Sequence, residues 1–203
     1  VRNLGWLESI PQWSKEKELQ PSRGVLSPVD EKRLLMELPP HLKRIVRFAL
    51  ETGLRKSTIT LLTMDMFNAD NGILTIPPEL LLKTRKPLVI KLNREARYLV
   101  LNEEGFAEGK MGLRPLNLSR PIFTYKSREF KNPAGSAWKK AKKQARVDIT
   151  FHELRHTWAT RRLEEGMPEA IVAHLGGWTS TRMLKTYSHI NINNIEILKE
   201  FGY

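Results

Sequence analysis

In this 203-residue chain apolar residues recur at helical spacing in every readable stretch from residue 28 onward except between residues 71 and 90. A helix buries one stripe at a period of 3.6 and a strand buries one face at a period of 2, so the two patterns cannot be exchanged. A chain read this way is mainly α with a small antiparallel β-sheet. Ser27-Pro28-Val29-Asp30 opens the first helix, with Ser27 as N-cap, Pro28 at the first helical position and Asp30 in the first turn; Pro39-Pro40 stops it. Leu42, Ile45, Val46, Ala49 and Leu50 make one stripe of a second helix from about His41 to Thr52, which Gly53 ends in the left-handed conformation of a C-cap. Ser57 to Met66 is a shorter helical stretch.

The period changes at the turn signal Asn71-Gly72. Ile73-Leu74-Thr75-Ile76 and Pro87-Leu88-Val89-Ile90 have strand character, and the basic run Lys83-Thr84-Arg85-Lys86 lies between them as a positive hairpin loop. Helices resume over Glu95–Leu101 and about Ser136–Ala145, while residues 102–135 carry the least readable pattern. Phe151 to Glu165 is helical with Leu154, Trp158, Ala159 and Leu163 on one face, and Gly166 closes it. Pro168 starts a short helix that Gly176-Gly177 ends. Thr179 or Ser180 caps a further helix carrying Met183, Leu184 and Tyr187, and Ile195, Leu198 and Phe201 mark a last amphipathic piece.

Charge narrows the partner. Lys and Arg number 34 against 22 Asp and Glu, a formal net charge of +12. The isoelectric point lies near 10.0. A polyanion is the partner such a surface attracts, nucleic acid before an anionic membrane or an acidic protein. The absence of cysteine removes disulfides and thiolate metal sites, and is compatible with a reducing cytoplasm. No apolar run reaches the roughly 20 residues of a membrane-crossing helix. Val1 stands where a start Met would be, so a fragment of a longer chain is expected. Residues 1–27, with Trp6, Trp13, a Lys-Glu run and Pro21, read as an arm or linker into a domain.

Several residues have chemistry that no single one of them establishes. His152, Arg155 and His156 lie three and four residues apart and share one helix face, largely off the Leu154/Trp158 core stripe. Arg and His together suit an anionic oxygen, and a solvated polar face is the plainer alternative. The two histidines have metal-ligand spacing, but Arg155 between them repels a cation and no third ligand is evident. Arg55 follows a helix end and precedes the next helix, a junction that collects backbone N–H groups for an anion, or simply an exposed loop arginine. Lys83 is by itself a solvated hairpin lysine, and Tyr187 a core tyrosine at helical spacing.

Their order along the chain changes the reading. Thr52-Gly53-Leu54-Arg55 resembles the first-arginine box of the tyrosine recombinases, the phage-integrase family, and Lys83-Thr84 is similar to that family's hairpin lysine. His152-Glu153-Leu154-Arg155-His156-Thr157 resembles its H-x-x-R box, and Leu175-Gly176-Gly177-Trp178 its L-G-G-W segment. Tyr187 falls nine residues after Trp178, where the family places its nucleophile, and Ser188-His189 follows. The resemblance spans about residues 27–190. It implies the tyrosine recombinase catalytic-domain fold over residues 28–190, preceded by the 1–27 arm from a missing DNA-binding domain and followed by a 191–203 tail that docks on its own domain or in trans.

It also implies a site-specific DNA recombinase that integrates or excises a phage or other mobile element. Arg55 and Arg155 clamp the scissile phosphate, Tyr187 attacks phosphorus, Lys83 protonates the departing 5′-oxygen, His152 handles the tyrosine proton and Trp178 supports the phosphate or the tyrosine. No cofactor or metal is implied, because two guanidiniums neutralise the transition state and covalent catalysis conserves the bond energy. The implied partners are double-stranded DNA and further copies of the chain, a monomer or dimer when free and a synaptic tetramer on DNA, with no membrane. The implied location is the cytoplasm, on the nucleoid of a bacterial or phage-infected host. Two departures stand out. Thr58 occupies the place of a usual acid three positions after the first arginine, and Lys91-Leu92 replaces a usual Pro-Leu. Lys86 rivals Lys83 as the acid. A recombinase-like DNA-binding module without cleavage and a type IB topoisomerase-like relaxase are the alternative functions.

Overall fold

The computed structural model describes residues 24–81, 86–101, 120–125, 128–130 and 132–178. Seven helices are described: α1 Pro28–Glu37, α2 Pro40–Thr52, α3 Lys56–Thr60, α4 Arg94–Leu101, α5 Ser136–Ala145, α6 Phe151–Glu164 and α7 Glu169–Gly176. Strands β1 Phe67–Asn68, β2 Ile73–Ile76 and β3 Leu88–Lys91 form an antiparallel sheet in the order β1-β2-β3. Phe67 pairs with Leu74 and Ile76 with Leu88. A separate ribbon, β4 Thr124–Tyr125 with β5 Arg128–Glu129, lies within the stretch whose sequence carried no pattern. The fold is therefore mainly helical with a small antiparallel sheet, as the periodicity predicts, and the additional strands are two residues long, too short to show a period of 2.

Local chemistry explains the helix bounds. The Ser27 hydroxyl accepts from the Asp30 backbone N–H at 3.1 Å, and Pro28 starts α1. Gly53 ends α2 at φ 62°, its N–H returning to the Ala49 carbonyl. The stretch expected as one helix from Ser57 to Met66 is instead α3 and a 3₁₀ turn at Met64–Met66. There the chain leaves the helix so that the Met64 N–H and the Leu62 carbonyl pair with residues 120 and 122.

The core is one cluster into which α2 packs against α6 and α4, α1 against α5, and α7 against α6 and β3. Trp158, Phe48, Ile45, Leu154 and Ile59 are essentially solvent-free. The segment just before α1 is tied to α6: Leu26 N–H donates to the Thr157 hydroxyl at 3.0 Å, and Arg161 donates to the Leu26 carbonyl at 3.0 Å while pairing with Glu31 at 2.6 Å. Among the described residues no helix is long and apolar enough to cross a membrane.

Candidate phosphate-binding site

Helix α6 positions the site, and its first turn is fixed by a reciprocal cap. Glu153 N–H donates to the Thr150 hydroxyl at 3.3 Å, and Thr150 N–H donates to the Glu153 carboxylate at 2.6 Å. Gly24 N–H adds a second bond to that carboxylate at 3.2 Å. Burial raises the Glu153 carboxyl, but the bonds from Thr150 and Gly24 outweigh it and leave its pKa below the ordinary value. The spacing Thr150-x-x-Glu153 is the capping-box signature, a local signal of a helix start.

Helix α6 differs from the expected two-faced helix. Residues 154 to 159 are all buried, so Arg155 and His156 are not on a solvated face; His152 alone of the three is exposed. The reason lies in the neighbours: α2 covers one side of α6 and α7 another. His152 stands one turn before Arg155, its ring 4.9 Å from that of His156 in an edge-to-face arrangement.

Arg155 is the centre of the site. It is 3% exposed. One of its terminal nitrogens donates to the Gly53 carbonyl at 2.7 Å and to the Gly176 carbonyl. Those carbonyls come from the ends of α2 and α7, so the guanidinium joins three helices. Its carbon lies 3.6 Å from the ring centroid of Trp178, a cation–π stack. Trp178 in turn stacks on Trp158, with centroids 6.1 Å apart and planes at 19°. The other terminal nitrogen, Nη2, is buried with no hydrogen-bond partner among the described residues.

Arg55 adjoins this group. It precedes α3 and donates to the Gly177 carbonyl at 3.4 Å. Burial lowers its pKa. The Arg155 guanidinium is pushed down to about 9, first by burial and then by the positive charge of Arg55. Among the described residues no carboxylate pairs with either. Two cations thus face one another across carbonyl oxygens, with a donor left over, which is the arrangement an oxyanion completes.

Two glycines make the approach possible. A Cβ on Gly53 would lie 2.1 Å from the Trp158 ring, and its φ is already left-handed. A Cβ on Gly176 would lie 2.0 Å from the Trp178 ring. The sequence marked both as helix stops; their service as carbonyl acceptors for Arg155 depends on contacts 102 and 21 residues apart. Thr58 is buried, and its hydroxyl donates to the Leu80 carbonyl at 3.3 Å. Arg55, Arg155 and Trp178 are therefore gathered where the ends of α2 and α7 meet α6, and His152 lies one turn before Arg155 on α6, beside His156. Lys83 and Tyr187 lie outside the described residues; Lys86, just before β3, is exposed.

Comparison with known proteins decides the family. The model of the phage integrase family matches residues 25–194. The chain belongs to the phage integrase family. Within that family it is 32% identical to the integrase of Salmonella phage P22 over 177 residues, 84% of this chain and 44% of that protein. It is 26% identical to the tyrosine recombinase XerA of Thermococcus kodakarensis over 175 residues, 83% of this chain and 59% of that protein. The chain thus spans about half the length of the curated family members it matches. The fold is shared with a lambda integrase dimer solved on a COC′ core site, with TM-score 0.61 and 19% identity over 86% of this chain and 51% of that one.

Proposed function

We propose that this chain is the catalytic part of a site-specific DNA recombinase, cleaving and rejoining double-stranded DNA through a 3′-phosphotyrosine. The observation that carries this reading is the Arg155 guanidinium, buried beside Arg55 without a carboxylate among the described residues and with Nη2 unpartnered. A buried cation held by carbonyl dipoles keeps its charge and lacks a counter-ion, so a phosphate diester oxygen gains both the unpartnered Nη2 donor and relief of repulsion between the two arginines.

In this reading Arg55 and Arg155 hold the non-bridging oxygens of the scissile phosphate, and the charge that builds on them in the pentavalent transition state is neutralised in place. Tyr187, its proton taken with the help of His152, forms a bond to phosphorus as the bond to the 5′-oxygen breaks. Lys83 gives the proton to that oxygen. A 5′-hydroxyl of another strand then attacks the phosphotyrosine, and the same proton transfers run in reverse. Trp178 keeps the Arg155 plane fixed by stacking. The carbonyls of Gly53 and Gly176 supply the bracing of Arg155 that Thr58 lacks the charge to give. The assignments of Tyr187 and Lys83 rest on the resemblance of their sequence boxes to those of the family.

The reading extends to organisation. Residues 28–190 are the catalytic domain, 1–27 an arm from a further DNA-binding domain and 191–203 a tail that docks on its own domain or in trans. The protein acts in the cytoplasm on the nucleoid, for a phage or other mobile element. It is a monomer or dimer when free and a tetramer at synapsis. A relative bound to its core site as a dimer supports DNA as the partner, as does the net charge of +12.

The test is a suicide duplex nicked beside the cleavage point. Wild-type protein traps a covalent protein–DNA adduct and Tyr187→Phe traps none. An adduct retained by Tyr187→Phe refutes the nucleophile. Thr58, buried on the Leu80 carbonyl where a carboxylate is usual, favours a second reading, a module that grips DNA without cutting it. That reading yields salt-dependent binding and no adduct under any condition.

A further inference from the structure

Arg155 and Trp158 stand three residues apart on α6, so their side chains leave neighbouring points of one helix. Both reach the same two partners outside that helix. The Gly53 carbonyl, at the end of α2, accepts from Arg155 at 2.7 Å. The Gly53 Cα lies against the Trp158 ring, where a Cβ would fall 2.1 Å from Cε3 and 2.4 Å from Cδ2. Trp178, which follows α7, carries the Arg155 guanidinium 3.6 Å from its ring centroid. The same indole stacks on Trp158, with planes 19° apart.

The second carbonyl brace depends on Trp158 at one remove. Gly176 is pressed against Trp178: a Cβ there would lie 2.0 Å from Cζ3 of that indole. The Trp178 N–H returns to the Ala173 carbonyl at 2.8 Å and closes the turn after α7. Trp158 thus touches one bracing glycine directly and the other through Trp178. A shift of its ring moves the Gly53 carbonyl, the plane of Trp178 and, behind it, the Gly176 carbonyl, and these are the groups that hold Arg155.

Core filling by itself does not account for an indole at 158. The side chain is solvent-free, and its Nε1 is buried with no hydrogen-bond partner among the described residues. An unpaired buried donor carries a desolvation penalty that phenylalanine or leucine in the same place would not. What the indole adds is the largest flat apolar face of any side chain, wide enough to seat Gly53 and Trp178 together.

We infer that Trp158 is a positioning residue for strand cleavage: through Gly53 and Trp178 it sets the place and plane in which the Arg155 guanidinium meets the phosphate. It acts on Arg155 through these neighbours and touches no reacting atom. The inference rests on the recombinase reading above, and the experiment separates the two.

The full chain is compared as wild type, Trp158→Phe and Trp158→Leu, and the Phe change is repeated in a Trp178→Ala chain. The readout is the single-turnover rate of covalent adduct formation on a nicked suicide duplex at saturating DNA, with duplex affinity and melting measured beside it. Trp158→Leu fills the space without a flat face and should cleave about tenfold more slowly; Trp158→Phe keeps a smaller ring and should lose about threefold, both within the roughly 100-fold that a 1 Å misplacement can cost. Duplex affinity should stay within about twofold of wild type, because no charge is removed. In the Trp178→Ala chain the loss from Trp158→Phe should shrink below about 1.5-fold, the non-additivity of side chains that act in series. A residue that only fills the core would shift melting and leave the rate of the folded protein unchanged. Trp158→Phe cleaving at the wild-type rate, or losing its full factor again in the Trp178→Ala chain, overturns the inference, and this pair decides it even where Trp158→Leu does not fold. Wild-type protein that forms no adduct overturns the recombinase reading and the inference with it.

Discussion

Arg155 lies flat on Trp178, its guanidinium carbon 3.6 Å from the ring centroid, while the same side chain reaches carbonyls at the ends of α2 and α7. The stack leaves the guanidinium edge for hydrogen bonding and fixes its plane, so the direction of the unpartnered Nη2 is set before a ligand arrives. A desolvated cation–π contact contributes about 2 kcal/mol. Trp178→Ala should therefore slow phosphodiester cleavage by about 30-fold, and Trp178→Phe, which keeps a ring face, by only a few-fold. Single-turnover cleavage of a nicked duplex measures both.

Gly53 is as tightly specified as the arginine it serves. Alanine there must hold a left-handed backbone and push its methyl into the Trp158 ring, which a built Cβ would meet at 2.1 Å. Gly53→Ala should cost about 2–4 kcal/mol of stability from strain and overpacking together, read from urea unfolding. An undiminished unfolding midpoint would show that α2 and α6 separate easily, contrary to the packing described.

The buried charge has a pH signature. Arg155 ionises at about 9 in the folded protein, lowered by burial and by Arg55, and near its ordinary value when unfolded. Below pH 9 both states carry the proton and the cost of burying the charge is fully present. Above it the folded protein sheds a proton that the unfolded chain keeps, so stability from this group rises with pH. The stability difference, wild type minus Arg155→Gln, should be flat from pH 6 to 8 and then grow in favour of the wild type above pH 9, by at most about 1.4 kcal/mol per pH unit. Chemical unfolding at stepped pH measures it; a difference that stays flat to pH 10.5 contradicts the assignment.

The cap of α6 holds His152 in the first turn. Thr150→Ala removes the hydroxyl that receives the Glu153 N–H and should cost about 1 kcal/mol. Because the turn it frays bears His152, hydrogen exchange should speed up at residues 151–153 before it does at Arg155.

What was legible in the sequence was punctuation and order. Ser27-Pro28, Gly53 and Gly176-Gly177 are local signals, since the backbone near a cap or a left-handed residue is decided by its own neighbours, and α2, α5 and α6 begin and end within a residue or so of their expected bounds. The family boxes singled out Arg55, His152, Arg155 and Trp178 without any knowledge of distance, and the fold sets Arg55 and Trp178 beside Arg155. Illegible was how they meet. The facing of α6 was misjudged because a helix covered from several sides has no polar face, so the burial of Arg155 and His156 left no periodic trace. The brace of Arg155 is two backbone carbonyls, and carbonyls have no residue letter. Strands β1, β4 and β5 are too short for a pattern.

The central claim is that Arg55 and Arg155 seat the phosphate at which the strand is cut. The most direct measurement is the rate of covalent adduct formation on a nicked suicide duplex by wild type, Arg55→Ala and Arg155→Ala at saturating DNA. Each alanine variant should form adduct about 10²–10³-fold more slowly, the loss typical of a removed transition-state donor, while duplex affinity falls far less. Adduct formation at the wild-type rate by either variant would contradict the account.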